Sequence, residues 1–296
     1  MKFGIVGNLD KKEVPGILSD LLRNVKNGEM EFLLHEDLAK AARHEKGKTE
    51  LQGVRALSEQ KLLKEAEMLI TLGGDGTILR AARMVGEHKI PILGVNLGKL
   101  GFLAEVSVEE LHACLAEIRQ GRYVVEERMM LEATSSRAKN PVVALNDVVV
   151  DKYGTSRVMA IETYVNDEYL ATYSADGIII STPTGSTAYS LATGGPIVAP
   201  ASAVITISPI CPHTLTARPV IVPDDSKISV KIVAAANKVH LAADGQQEEL
   251  FAAPVTISVK KAGFNVRLVK RLDRSYYDVL RKKLNWGSDM RIGSNN

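Results

Sequence analysis

Met68-Leu69-Ile70-Thr71-Leu72-Gly73-Gly74-Asp75-Gly76-Thr77-Ile78-Leu79-Arg80-Ala81-Ala82-Arg83 decides how the first part of the chain is read. Met68 to Leu72 has the length and continuous apolarity of a strand buried in a parallel sheet. Ile78, Leu79, Ala82 and Val85 then recur at helical spacing, so the glycines mark a strand-to-helix turn. In an open parallel sheet that turn lies at the carboxyl end of the strand, where ligands bind, and the following helix offers free N–H groups to an anion. Three glycines around one carboxylate let a backbone come very close to a ligand. A carboxylate in a loop that attracts phosphate is out of place unless a metal ion or a hydroxyl lies between, which points to chemistry. An ordinary Asp-Gly turn is the bland alternative.

Outward from the turn, strand and helix alternate over the first hundred residues. Phe3 to Gly7 reads as a strand, Val14 to Val25 as an amphipathic helix, Glu31 to Leu34 as a short strand and Ile90 to Asn96 as the strand after the motif helix, Ile78 to Gly86. The charged, aperiodic stretch Arg43 to Gly53 reads as a mobile loop. Repeated βα units predict an α/β, Rossmann-like doubly wound sheet.

From Tyr123 the texture changes. Short alternating or β-branched runs follow one another: Val142–Val150, Arg157–Val165, Tyr169–Tyr173, Gly177–Ser181, Ala203–Ser208, Lys227–Val233, Lys238–Ala242 and Val255–Val259. They predict an antiparallel β-sandwich. Helix Val108–Gln120 would mark the crossing. Ser275–Leu284 is helical again, with Tyr276, Val279, Leu280 and Leu284 on one face, and needs a surface to bury that face. The expected domains are 1–122, completed by a terminal helix that returns over 266–296, and 123–265.

Composition excludes several classes. A chain of 296 residues with 45% hydrophobic and 24% charged residues is an ordinary globular protein. A net charge of +2, with bases and acids interspersed, argues against a nucleic-acid partner. No apolar run reaches the roughly 18 residues of a membrane span, and no signal peptide precedes the first strand, so no membrane is expected. Two cysteines, Cys114 and Cys211, make no disulfide framework, and a reducing cytoplasmic compartment is expected. Six histidines show no zinc spacing, and neither a Walker loop nor a Gly-x-Gly-x-x-Gly fingerprint is present.

Two polar features interrupt the β-region. Asn146 and Asp147 break an apolar run with an amide and a carboxylate suited to an adenine edge and ribose hydroxyls; a strand-end bulge is the alternative. In Asp176 to Pro196, a strand enters Ser181-Thr182-Pro183-Thr184-Gly185-Ser186-Thr187-Ala188-Tyr189-Ser190, then a short helix that Gly194-Gly195-Pro196 stops. Capping uses one or two hydroxyls, and the surplus suggests a polar ligand.

With Asn96–Leu103, Pro212-His213-Thr214-Leu215, Asp244-Gly245-Gln246 and the Leu-Arg-Lys-Lys-Leu-Asn-Trp-Gly ending, these stretches resemble the ATP-NAD kinase family over nearly the whole chain. The glycine motif alone is shared with lipid kinases; joined to the Thr-Pro-Thr-Gly-Ser-Thr-Ala-Tyr-Ser stretch it is specific. The resemblance implies transfer of the γ-phosphoryl group of ATP to the 2′-hydroxyl of the adenosine ribose of NAD, giving NADP. It also implies a divalent metal ion such as Mg2+, and assembly as a homodimer or homotetramer. Asp75 matches the general base, with Gly76 beside the triphosphate and Arg80 at a phosphate. Asn146 and Asp147 match an NAD-binding pair whose second member is usually Glu. Arg157 and Asp176 match positions on the nicotinamide side, and Thr187, Ala188, Tyr189, Ser190, Leu191 and Ala192 the stretch around adenine and ribose. Gln246 matches a further ligand position. A lipid kinase and a non-catalytic dinucleotide sensor are the competing readings.

Overall fold

The computed structural model describes residues 1–23, 30–44, 54–98, 101–138, 140–233 and 238–286. Two units divide the chain, Met1–Glu126 with Arg267–Asn296, and Glu127–Val266.

The first unit is built on parallel strands in the order Arg55–Leu57, Glu31–His35, Lys2–Gly7, Met68–Leu72, Ile92–Asn96. The chain thus moves outward from the first strand on one side, then jumps back to its other side. The jump between Lys2–Gly7 and Met68–Leu72 is the topological switch point, beyond whose carboxyl ends an open α/β sheet binds ligands. Every residue of Met68–Leu72 is buried, the pattern of a strand covered on both faces. Val14, Leu18 and Leu21 of the first helix pack with Phe3, Ile5 and Phe32 in the core of this unit.

The end of the chain is tied into the same unit. Leu268, near the end of the long Val255–Lys270 strand, pairs in parallel with Ile92. Just beyond, Lys270 Nζ reaches the buried carboxylate of Glu105 at 2.6 Å, and the Arg271 backbone N–H donates to it at 3.0 Å. Arg274 donates to the Glu105 carbonyl and to the Glu110 carboxylate. The terminal helix Tyr276–Leu284 opens on a capping box, Ser275 accepting from the Asp278 N–H while Asp278 accepts from Ser275. Val279 and Leu280 are buried, whereas Tyr276 and Leu284 are only half-buried.

The second unit is a β-sandwich. One sheet has the antiparallel order Val220–Pro223, Val204–Ile210, Gly177–Ser181, Asp147–Lys152, Val239–Ala243, Gln247–Phe251. The facing sheet contains Glu168–Ala175, Met159–Val165, Ile228–Ile232 and the start of the Val255–Lys270 strand. Alternate residues of both point inward: Val148, Val150, Ile178, Ile180, Leu241 and Ala243 meet Ile161, Val230 and Ile257 in one core.

Several local expectations are corrected. Val142–Val150 is two strands, Val142–Ala144 and Asp147–Lys152, because the chain bends at Leu145-Asn146. Arg43 and His44 end a helix, Glu36–His44; the rest of the expected mobile loop, residues 45–53, lies outside the described residues, as does the tail after Trp286. Helix Glu59–Glu65 and strands Val124–Ser135, Val220–Pro223 and Gln247–Phe251 were not anticipated. Gln247–Phe251 carries two glutamates, poor strand formers, and is held as a strand by pairing with Val239–Ala243. Among the described residues no helix is long and apolar enough to cross a membrane.

Candidate active site

At the switch point, Asp75 is the first residue of helix Asp75–Val85, with Gly74 as its N-cap. A carboxylate there is favoured by the helix dipole. Its orientation is fixed from outside the helix: Oδ2 accepts the Phe102 N–H at 2.8 Å, and Oδ1 accepts those of Leu103 and Ala104 at 3.2 and 3.3 Å. The loop approaches so closely that a Cβ on Gly101 would lie 1.8 Å from Oδ1, and only glycine fits. Asn96 steadies the start of that loop through two bonds to the Gly98 backbone. Gly76 is exposed in the first helical turn. Arg80, one turn on, is more than a solvated helix residue: its Nη2 donates to the Gly7 carbonyl at 3.0 Å, which sets the guanidinium at the carboxyl end of the first strand.

In the second unit, the bend at Leu145-Asn146-Asp147 is clamped from both sides. The Asp244 carboxylate accepts the N–H groups of Leu145, Asn146 and Asp147 at 2.9, 2.7 and 3.3 Å. Thr182 Oγ1 donates to the Leu145 carbonyl at 2.6 Å, and the Thr182 N–H to the Asn146 carbonyl at 2.9 Å. Gly185 packs on the same bend, where a Cβ would stand 2.0 Å from the Asn146 oxygen. Asp244 holds its position with φ at +53°, a left-handed conformation uncommon outside glycine and tolerated best by Asp and Asn.

This bend borders a cavity of about 310 Å³ lined by Asn146, Asp147, Asp151, Tyr189, His240, Asp244 and Glu248, with Val149, Ala188, Ala242 and Gly245 as its small and apolar wall. His240 Nδ1 lies 2.7 Å from Asp151 Oδ1. Burial, and then the neighbouring Asp244, push the Asp147 carboxyl up to about 7. Burial also raises the Tyr189 phenol, with Asp151, Cys211, Asp147 and Asp176 adding to the effect.

The residues singled out in the sequence therefore fall into groups. Asn146, Asp147, Ala188 and Tyr189 come together at the cavity. Asp75, Gly76 and Arg80 lie at the switch point of the first unit. Thr187 and Leu191 are half-buried, and Ala192 is exposed. Ser190 is fully buried, its hydroxyl 3.3 Å from that of Ser208. Asp176 pairs with Lys152 at 2.6 Å; Arg157 and Gln246 are exposed, and so is His213. Several of the hydroxyls from Ser181 onward have partners within the protein. Ser186 Oγ bonds the Pro183 and Val198 carbonyls, Ser181 the Thr182 carbonyl and Thr187 that of Thr184. Asp151, His240 and Glu248 were missed. Their signal is a period of two: Asp147, Val149 and Asp151 on one face of a strand, His240, Ala242 and Asp244 on its neighbour.

Among the described residues, no group of three or more His, Cys, Asp or Glu side chains could hold a metal ion. The donors among the described residues fit no protein-built cage.

A Rossmann-like sheet with a locked carboxylate at its switch point, and a β-sandwich with a polar cavity, define a nucleotide-binding protein. Family models match both parts: the ATP-NAD kinase N-terminal domain over residues 3–123 and the ATP-NAD kinase C-terminal domain over 145–271. The NAD kinase of Moorella thermoacetica is 41% identical over 297 aligned positions, covering 99% of this chain and 92% of the relative. That of Geobacter metallireducens is 44% identical over 238 positions, covering 79% and 84%. Among solved structures, yeast NADH kinase complexed with NADH matches with a TM-score of 0.87 at 27% identity, covering 99% of this chain and 89% of the other. The NAD kinase from Archaeoglobus fulgidus in complex with ATP matches at 0.72 and 25%, covering 96% and 99%. The chain belongs to the ATP-NAD kinase family and is a phosphotransferase that phosphorylates NAD with ATP.

Proposed function

We propose that Asp75 is the general base of this reaction, taking the proton of the 2′-hydroxyl of the adenosine ribose as it attacks the γ-phosphorus. A ribose hydroxyl is a weak nucleophile at neutral pH, and phosphoryl transfer rests mainly on positioning and charge neutralisation. The observation that carries the reading is the Asp75 carboxylate held by three backbone N–H groups at a helix start at the switch point. A carboxylate has about four lone-pair positions, so three donors leave room for one hydrogen bond more, from a hydroxyl. Arg80 supplies positive charge for a phosphate beside Asp75 and Gly76.

Asn146, Asp147, Ala188 and Tyr189 would hold the nucleoside in the cavity of the second unit, the amide and carboxyl reading polar edges and the Tyr189 ring offering an apolar face. Thr187, Ser190, Leu191 and Ala192 would shape that wall, Asp176 and Arg157 would lie toward the nicotinamide half, and Gln246 would add a further ligand contact. Mg2+ or a similar ion would enter with the triphosphate, as such ions keep several waters and lean on substrate phosphates. Two free cysteines suit a cytoplasmic setting, and assembly as a homodimer or homotetramer would show in the mass by light scattering. The test is turnover of ATP and NAD scored as NADP: Asp75→Asn should lose activity while NAD still binds, and near wild-type turnover would remove Asp75 from the mechanism.

A further inference from the structure

Two acidic residues, Asp147 and Asp244, line the cavity at the Asn146-Asp147 bend, and their surroundings differ. Asp244 faces three backbone donors, the N–H groups of Leu145, Asn146 and Asp147. The two residues are also joined through their backbones, the Asp244 N–H donating to the Asp147 carbonyl at 3.0 Å. Asp147 is only 5% exposed and accepts a single backbone N–H, that of Tyr189. Around it stand the phenol of Tyr189, Asp151 farther along its own strand, His240 on the adjacent strand and Glu248 on the next. His240, which lines the same cavity, is engaged by Asp151 and lies 3.7 Å from Glu248. Among the described residues, no Lys or Arg lines the cavity.

Resting on the reading of this cavity as a nucleoside site, we propose that Asp147 and Asp244 hold one proton between them, and that Asp147 presents it to the ligand as a hydrogen-bond donor. Asp147 is then a neutral acid that donates to an acceptor atom of the bound nucleoside, and the ribose or base is recognised through that bond. A desolvated carboxyl beside a second carboxylate keeps its proton for the same reason that paired acids elsewhere share one. The direction of the Asp147 shift, upward to about 7 through burial and then Asp244, agrees with the geometry. Ligand binding closes the cavity further and draws the proton onto Asp147, so binding takes up a proton where the free protein has lost it.

The experiment is calorimetric titration of the full-length protein with NAD in buffers of different ionisation enthalpy, which reads net proton uptake. For a group at about pH 7 that is fully protonated in the complex, uptake should rise from about one-tenth of a proton at pH 6 to about nine-tenths at pH 8. Asp147→Asn, which keeps a donor but cannot titrate, should bind NAD with that rise abolished, its folding checked by thermal melt. Wild-type binding with no net uptake at pH 8 overturns the proposal whatever becomes of the variant, and an Asn variant with undiminished uptake overturns it by placing the proton elsewhere. NAD that fails to bind at any pH overturns the nucleoside reading of the cavity, and the proposal with it.

Discussion

Asp75 and Asp147 are the same side chain in two surroundings. Asp75 sits in a ring of backbone donors at a helix start, with the Arg80 guanidinium one turn away. Asp147 sits in a desolvated bend beside another carboxyl. The first environment orients an acceptor, and in the second burial and then Asp244 push the carboxyl up to about 7. Residue type alone therefore does not assign an acid or a base; the count of N–H donors and the nearest like charge do.

The strongest way to break this comparison is Asp75→Asn. Loss of a positioned base should lower kcat by about 10²- to 10⁴-fold, with NAD affinity nearly unchanged by calorimetry. Gly101→Ala sharpens the same point without touching the carboxyl, since the added methyl would occupy the space of Oδ1. A misplacement of about 1 Å can cost on the order of 10²-fold, so steady-state kinetics should show a kcat loss approaching that of the Asn variant, with little change in KM. Equal kinetics for Gly101→Ala and wild type would mean that the orientation of Asp75 is irrelevant. In the cavity, Asn146→Ala should weaken NAD binding by up to about tenfold, the value of one lost hydrogen bond, while the ATP dependence of the rate stays as it was.

The smallest effect is on stability. The folded-state value of Asp147 is raised, so its contribution is intact below the ordinary carboxylate range and is lost as pH rises through about 7. Asp147→Asn removes that loss. Its Tm should exceed that of wild type by about 2–4 °C at pH 8, and by less at pH 5. A gain independent of pH would separate the stability effect from the proton.

The sequence made the switch-point turn legible because a strand, a glycine turn and a helix are consecutive and each has its own periodicity. The β-sandwich was legible for the same local reason. The bend at Leu145-Asn146 was hidden inside an apolar run because its cause is distant: a carboxylate at Asp244 and a hydroxyl at Thr182. The hydroxyl-rich stretch is ambiguous in sequence, since Ser and Thr that close a loop on itself look the same as those that face a ligand. Asp151, His240 and Glu248 come from three strands, and only their pairing brings them to one cavity.

The tie between Glu105 and Lys270 has a consequence for how the protein is made. These partners are separated by 165 positions, and the carboxylate is 3% exposed. The second unit is continuous in sequence, whereas the first waits for residues near the end of the chain. During synthesis, Glu105 leaves the ribosome long before Lys270, Arg271 and Arg274 exist to meet it, and burying it earlier would leave an uncompensated charge. Burial of the Glu105 carboxylate is therefore coupled to the arrival of residues 270 to 274, whereas the second unit is built from one continuous stretch.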